Sequence, residues 1–292
     1  MTVSRMDLAD CGSPDKLVIE ILRAELDLPI PIPIEKLARQ LGITEVKTLE
    51  TEGFIGGLIT DQSKSRGIIL LQKNLPNGRR RFTLAHELAH FLIPTHKPGK
   101  NDSFLCSLSD PMAMDKTVAE RRLRWEAEAN RFAGLILVPA PYFRRDANAG
   151  KDPDIGHIIK LADRYEVSKE VAGRAYVDYR EEAVALLITK DGRLLRSYSR
   201  RTDFPYINVK WGDPVPRQSL LVRGNHELAT ASEIEEVDAG VWLEVRWGST
   251  APTIYEQVYR QQQGFALILL TMERPEDEDD EDDDRKWSRR NA

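Results

Sequence analysis

The chain has 292 residues, a formal net charge of −5, and 41% hydrophobic against 30% charged residues, enough for one large domain or two ordinary ones with real cores. No stretch approaches the roughly 18 successive apolar residues that a membrane span needs, and the start, MTVSRMDLADCGSPDK, lacks the apolar middle of a signal peptide. A cytoplasmic protein is therefore expected. The two cysteines, Cys11 and Cys106, make neither a disulfide framework nor a cysteine-rich zinc module, and both are expected as reduced thiols.

In chain order, a Ser13 cap, Pro14 at the first helical position and apolar residues at helical spacing predict a helix over 14–25. IEKLARQLGI predicts a second, short helix ending at Gly42. From Gly53 the period changes. GFIGGLITDQ and RGIILLQK are β-rich runs around a polar turn at Ser63 to Ser65, which predicts a hairpin, and Leu75-Pro76-Asn77-Gly78 then punctuates the chain. RRFTLAHELAHFLIP follows as an apolar helix. The stretch from Pro94 to about Asp115 reads as loop, and TVAERRLRWEAEANRFAGLILV reads as a long amphipathic helix stopped by Pro139 and Pro141.

Residues 154–182 read as two short helices around Tyr165 to Ser168. Beyond Ala183 the texture is β: AVALLITKDGRLLRSYS alternates on both sides of an Asp191-Gly192 turn, and SLLVRG, GVWLEVRWG, TIYEQVYRQ and FALILLTM continue it. The expected fold class is α+β. The division is an α+β domain over 1–145, a helix-turn-helix-like connector over 146–182, a β-rich part over 183–273 and a tail from 274 to 292. That tail holds nine successive acidic residues, Glu276 to Asp284, and without them the rest carries about +4. Like charges repel and bury nothing, so the tail is expected to be disordered, either as a solubilising end or as an electrostatic decoy for a basic groove.

His86-Glu87-Leu88-Ala89-His90 has the pattern H-E-x-x-H. Helix positions i and i+4 share a face, so both imidazoles can reach one metal ion. Glu87 then stands beside the metal, where it can take a proton from bound water whose pKa zinc has lowered toward about 7.

Two candidates compete for third ligand. His96 follows His90 at the metzincin spacing, but Ile93 replaces the glycine of that extension, whose positive φ a β-branched residue disfavours. His96 is therefore expected as an exposed loop residue. Glu126, with Asn130 four residues on, fits the E-x-x-A-N/D arrangement of gluzincin sites: Glu126 as ligand and Asn130 as the partner that orients a ligating histidine. Glu128 lies some 200° around the helix from Glu126 and does not share its face. Two histidines, a glutamate and an open fourth position make a catalytic zinc site, with Glu87 as base and then proton donor to the leaving amine. Tyr142, His157 and His226 are candidates for stabilising the oxyanion, each also readable as structural.

RRFTLAHELAHFLIP followed by EAEANRFAGLILVP, with IEKLARQLGI upstream and IIKLADRYEVSKEVAGRAYVDY downstream, resembles the ImmA/IrrE metallopeptidases of bacteria and phages over about residues 15–182. The resemblance implies that 1–145 is a zincin-like metallopeptidase domain, a Zn- or Mn-dependent endopeptidase that cleaves a helix-turn-helix repressor and so induces a stress response or mobile-element genes. It assigns His86 and His90 as ligands, Glu87 as base and Glu126 as third ligand. An exposed edge of the hairpin at residues 54–72 could take up a substrate strand. A different reading is a non-proteolytic partner with an idle zinc site, a toxin-antitoxin component or a DNA-associated regulator. Direct DNA binding is not favoured, because the second helix of 155–180 carries only Lys169, Arg174 and Arg180, offset by Glu170 and Asp178.

Overall fold

The computed structural model describes residues 2–50, 53–98, 103–107, 116–150, 152–245 and 250–273. The expected acidic tail lies outside them, as does the side chain of Cys106. The fold is mixed α+β and divides into two compact units, Met1–Ala147 with Ile158–Ala175, and Asn148–His157 with everything from Tyr176 onward. Among the described residues no helix is long and apolar enough to cross a membrane.

The first unit opens with α1 (Pro14–Ala24), where the Ser13 side chain accepts from the Lys16 amide and Leu17, Val18 and Ile21 form the buried stripe. Next, α2 (Ile34–Gln40) is followed by Gly42 at φ +104°, a left-handed position where a Cβ would also press on the Phe91 ring. Strands β1 (Ile43–Leu49), β2 (Phe54–Thr60), β3 (Gly67–Gln72) and β4 (Ser103–Ser107) form one sheet in the order β1-β3-β2-β4, with β1 parallel to β3 and the other pairs antiparallel.

This order corrects the expectation of an exposed hairpin edge. Both hairpin strands are interior, because β1 takes the far side of β3 and β4 the far side of β2. The edges are β1, whose burial is largely confined to Ile43, and β4, which comes from the stretch read as loop.

The helix α3 (Asn77–Leu92) packs on β2 and β3, and α4 (Lys116–Leu137) packs on α3 and α1. The inward face of α4 is Ala129, Phe132, Ala133 and Ile136, all fully buried at helical spacing. Pro139 and Pro141 do end α4, but a further helix, α5 (Ala140–Ala147), starts between them.

The helices α6 (Ile155–Tyr165) and α7 (Lys169–Tyr179) appear where the sequence placed them, yet the proposed connector is shared out between the two units. Hydrogen bonding explains the division. The Tyr165 hydroxyl donates to Asp146 Oδ2 at 2.8 Å and its ring meets Phe143, which ties the end of α6 to α5. Asn148 Nδ2 donates to the Tyr179 carbonyl and Arg180 Nη1 to the Gly150 carbonyl, which ties 148–150 to the chain after α7. Of the three cations counted on this second helix, Arg180 is buried.

In the second unit, β5 (Val184–Lys190), β6 (Arg193–Ser199), β7 (Glu235–Val237), β8 (Thr253–Arg260) and β9 (Phe265–Glu273) form an antiparallel sheet ordered β6-β5-β9-β8-β7. Asp191 (φ +50°) and Gly192 (φ +72°) make the expected hairpin turn. Alternate residues Ala185, Leu187, Ile254, Val258, Ile268 and Leu270 face a core closed by Phe204, Leu220 and Trp242.

Two segments read as strands take other forms. SLLVRG is a single helical turn, α8 (Leu220–Arg223), because the Ser219 hydroxyl accepts from the Leu221 amide and starts it. GVWLEVRWG begins in a 3-10 turn capped by Asp238, which delivers Trp242 fully buried into the core, and its residues 246–248 are outside the described set. Beneath Trp242 lies a buried carboxylate. Glu256 accepts from Trp242 Nε1 at 2.9 Å and from the Ser219 hydroxyl at 2.5 Å.

Candidate metal centre

The helix α3 is buried along most of its length, from Thr83 to Phe91 without a break. In such a helix polar residues need partners, and two sit one turn apart with their ring nitrogens converging: His86 Nε2 and His90 Nε2 are 3.1 Å apart. From α4, Glu126 places Oε2 3.2 Å from His86 Nε2 and Oε1 3.5 Å from His90 Nε2.

His86, His90 and Glu126 are the group of potential ligands brought together among the described residues, their donor atoms all within 4.8 Å of one another. Ligands about 2.1 Å from an ion at tetrahedral angles are about 3.4 Å from each other. Separations of 3.1, 3.2 and 3.5 Å fit that requirement, and two imidazoles with a carboxylate suit zinc or manganese. The Glu126 side chain is 47% exposed, so the group opens toward solvent on the α4 side.

Protonation agrees with ligation at neutral pH for one ring in particular. Burial, together with the adjacent His86 and His96 rings, holds His90 well below the ordinary 6.5, so it is neutral. Burial acts the same way on His86, but the Glu126 hydrogen bond and the Glu87 charge outweigh it and raise its pKa, so a metal ion competes with a proton there. The Asn130 carbonyl oxygen lies 3.0 Å from His86 Nδ1, where it accepts that N–H and leaves Nε2 for the metal.

Glu87 is fully buried on the sheet side of α3. Its neighbour there is Gly56 on β2, where an added Cβ would stand 2.2 Å from Thr83 Cγ2 and 3.1 Å from Glu87 Oε1. The glycine lets the strand pass that carboxylate. A Gly56→Ala substitution is expected to destabilise the unit by about 1–3 kcal/mol, read from denaturant unfolding, because neither the β-branched Thr83 nor the packed Glu87 has room to yield; unchanged stability would show that the strand can move aside.

His96 departs from its expected place. It is fully buried, with Nδ1 3.0 Å from His90 Nδ1 and its ring tilted against Trp125 at 5.4 Å between centroids. Ile93 ends α3 in an extended conformation, φ −72° and ψ 117°, and the His96 amide donates to the Ile93 carbonyl, a turn that folds the histidine back under the helix end. Lys64, in the β2–β3 turn, seals that end: its buried ammonium donates to the His90 and Ile93 carbonyls at 2.6 and 2.7 Å, and burial lowers its pKa to about 7.

Glu128, off the Glu126 face as expected, accepts from His96 Nε2 at 2.9 Å. The three oxyanion candidates are engaged elsewhere. Tyr142 donates to the Leu26 carbonyl, while His157 meets the Tyr176 ring and His226 the Leu220 carbonyl, both within the second unit.

No curated protein matches this chain. Among solved structures, a Mycobacterium tuberculosis transcriptional regulator is similar at 13% identity and a TM-score of 0.47, over 92% of this chain and 74% of that one. The family model of the IrrE N-terminal-like domain, Peptidase_M78, matches residues 40–176, a span that contains α3, α4 and every side chain of the centre. Over that span, just under half of its length, the chain is similar to the IrrE N-terminal-like domain, and the matched span takes in the H-E-x-x-H helix and the glutamate that faces it.

Proposed function

We propose that the chain is a metal-dependent endopeptidase acting on a helix-turn-helix transcriptional repressor, with His86, His90 and Glu126 as ligands and Glu87 as base. The observation that supports the peptidase reading is Glu87 itself, a carboxylate fully buried one residue along the helix from the first of two converging imidazoles. The repressor as substrate rests on the resemblance to ImmA/IrrE proteins.

Bound zinc or manganese supplies a Lewis acid that acidifies water and polarises the scissile carbonyl. The rest falls to this chain. His86 and His90 present Nε2, Asn130 keeps the proton of His86 on Nδ1, and Glu126 closes the ligand set from the solvent side. Glu87 accepts a proton from the attacking water at a carboxylate oxygen and returns it to the departing amine.

The test is to incubate the metal-loaded chain with helix-turn-helix repressors from the same genome and to look for fragments by mass spectrometry. Cleavage is expected, to cease with a chelator and to return with zinc or manganese. Glu126→Ala is expected to bring zinc stoichiometry from near one toward zero while leaving the fold intact by circular dichroism. Binding of the repressor without cleavage would leave the non-proteolytic reading in place of this one.

A further inference from the structure

The pair of buried His96 and half-buried Glu128 lies outside the ligand set and has no part in the proton transfers, yet it is built against a ligand. The distances run Glu128 Oε2 to His96 Nε2, 2.9 Å, and His96 Nδ1 to His90 Nδ1, 3.0 Å. The four ring nitrogens and the carboxylate admit one consistent set of protons. If His90 uses Nε2 on the metal, its proton is on Nδ1 and must be donated. The atom facing it is His96 Nδ1, which can accept only if the His96 proton is on Nε2. Nε2 faces Glu128, a carboxylate that only accepts. The wrong tautomer of His96 would set two N–H groups against each other at one end and two lone pairs at the other.

We propose that His96 and Glu128 are positioning residues for the metal ligand His90, a relay in which the carboxylate fixes the proton of the outer imidazole and the outer imidazole fixes that of the inner one. This rests on the metal-centre reading given above. The relay is held by the fold on every side. Arg124 Nε donates to the other oxygen of Glu128 at 2.8 Å, Trp125 covers the His96 ring, and Lys64 occupies the carbonyls of His90 and Ile93 so that the turn carrying His96 keeps its place.

The two ligands are thus backed differently. His86 donates to a neutral amide on an exposed residue, whereas His90 donates to a fully buried imidazole that is backed by a carboxylate. A hydrogen bond to a charge-backed acceptor makes the donor ring a stronger base, so His90 is the firmer of the two grips.

The experiment uses the full chain loaded with zinc. Long-range proton–nitrogen NMR of the imidazoles is expected to show His90 protonated on Nδ1 and His96 on Nε2; a His96 proton on Nδ1 overturns the relay. Zinc affinity, measured by competition with a chromogenic chelator, is expected to fall about 10–100-fold in His96→Leu. In His96→Gln, whose amide offers an oxygen to His90 and an N–H to Glu128, it is expected to stay within about threefold of the parent. Glu128→Leu is expected to weaken binding as well, and to add little in the double variant with His96→Leu.

Equal loss in His96→Leu and His96→Gln would mean that the ring only fills space, and the relay fails. Parent-like affinity in His96→Leu also ends it. Should His96→Leu not fold, the NMR of the parent decides. A parent chain that binds no zinc at all overturns the metal-centre reading, and zinc binding by the parent with indifferent variants overturns the relay alone.

Discussion

Replacing Glu87 with glutamine is expected to lower the rate of peptide hydrolysis by about 10²–10⁴-fold while zinc stoichiometry stays at that of the parent. The substitution keeps the shape of a fully buried side chain and removes only its capacity to hold a proton. The substrate should still bind, so the loss is expected in kcat rather than in KM. The measurement is a steady-state assay on a peptide that spans the cleavage site, beside a metal analysis of the same preparation. Turnover within a few-fold of the parent would take the base away from Glu87, and loss of zinc would give the residue a structural role.

The second large effect lies in the other unit. Glu256→Ala is expected to destabilise it by about 3–5 kcal/mol, because the Trp242 N–H and the Ser219 hydroxyl lose their acceptor in a place that water does not reach, and a cavity opens beneath the indole. That is a large part of the total of about 5–15 kcal/mol that folded domains have. Glu256→Gln keeps an acceptor oxygen and is expected to cost about 1–2 kcal/mol at neutral pH.

The pH dependence has a definite sign. Burial raises the Glu256 pKa above the ordinary 4.5 even though the Ser219 and Trp242 bonds pull it down, so the folded chain holds this proton to higher pH than the unfolded chain. Stability from this group is full below 4.5 and declines as pH rises from there through the folded value. Urea titrations across that range are expected to show a slope in the parent that the glutamine variant lacks; equal slopes would remove Glu256 as its source.

The parts of the molecule legible in its sequence are those specified within one element. His86, Glu87 and His90 are read from helical spacing because i and i+4 meet without help from the rest of the fold, and Glu126 with Asn130 is the same argument on a second helix. His96 is not legible in this way, because its burial depends on a turn at Ile93 and on a helix some thirty residues on, neither of which spacing encodes. Glu128 points away from Glu126 by its helical spacing, and that direction is what brings it to His96.

Edge strands were the other blind spot. β1 buries little besides Ile43 and so lacks alternation, and β4 is too short to stand out, yet together they turn an expected open hairpin into the middle of a sheet. α8 was read as a strand from Leu220, Leu221 and Val222, where the single hydroxyl of Ser219 decided for a helical turn.

The candidate ligands sit at the two ends of residues 91–125, with His86 and His90 on one side and Glu126 on the other. An ion held by all three is a cross-link that closes this loop in the folded chain and has no counterpart in the unfolded one. The resistance of the first unit to unfolding then becomes a property of its surroundings, rising by about 1.4 kcal/mol for every tenfold increase of free ion above the dissociation constant. Its lifetime against proteolysis would track the metal supply, independently of whether a substrate is present.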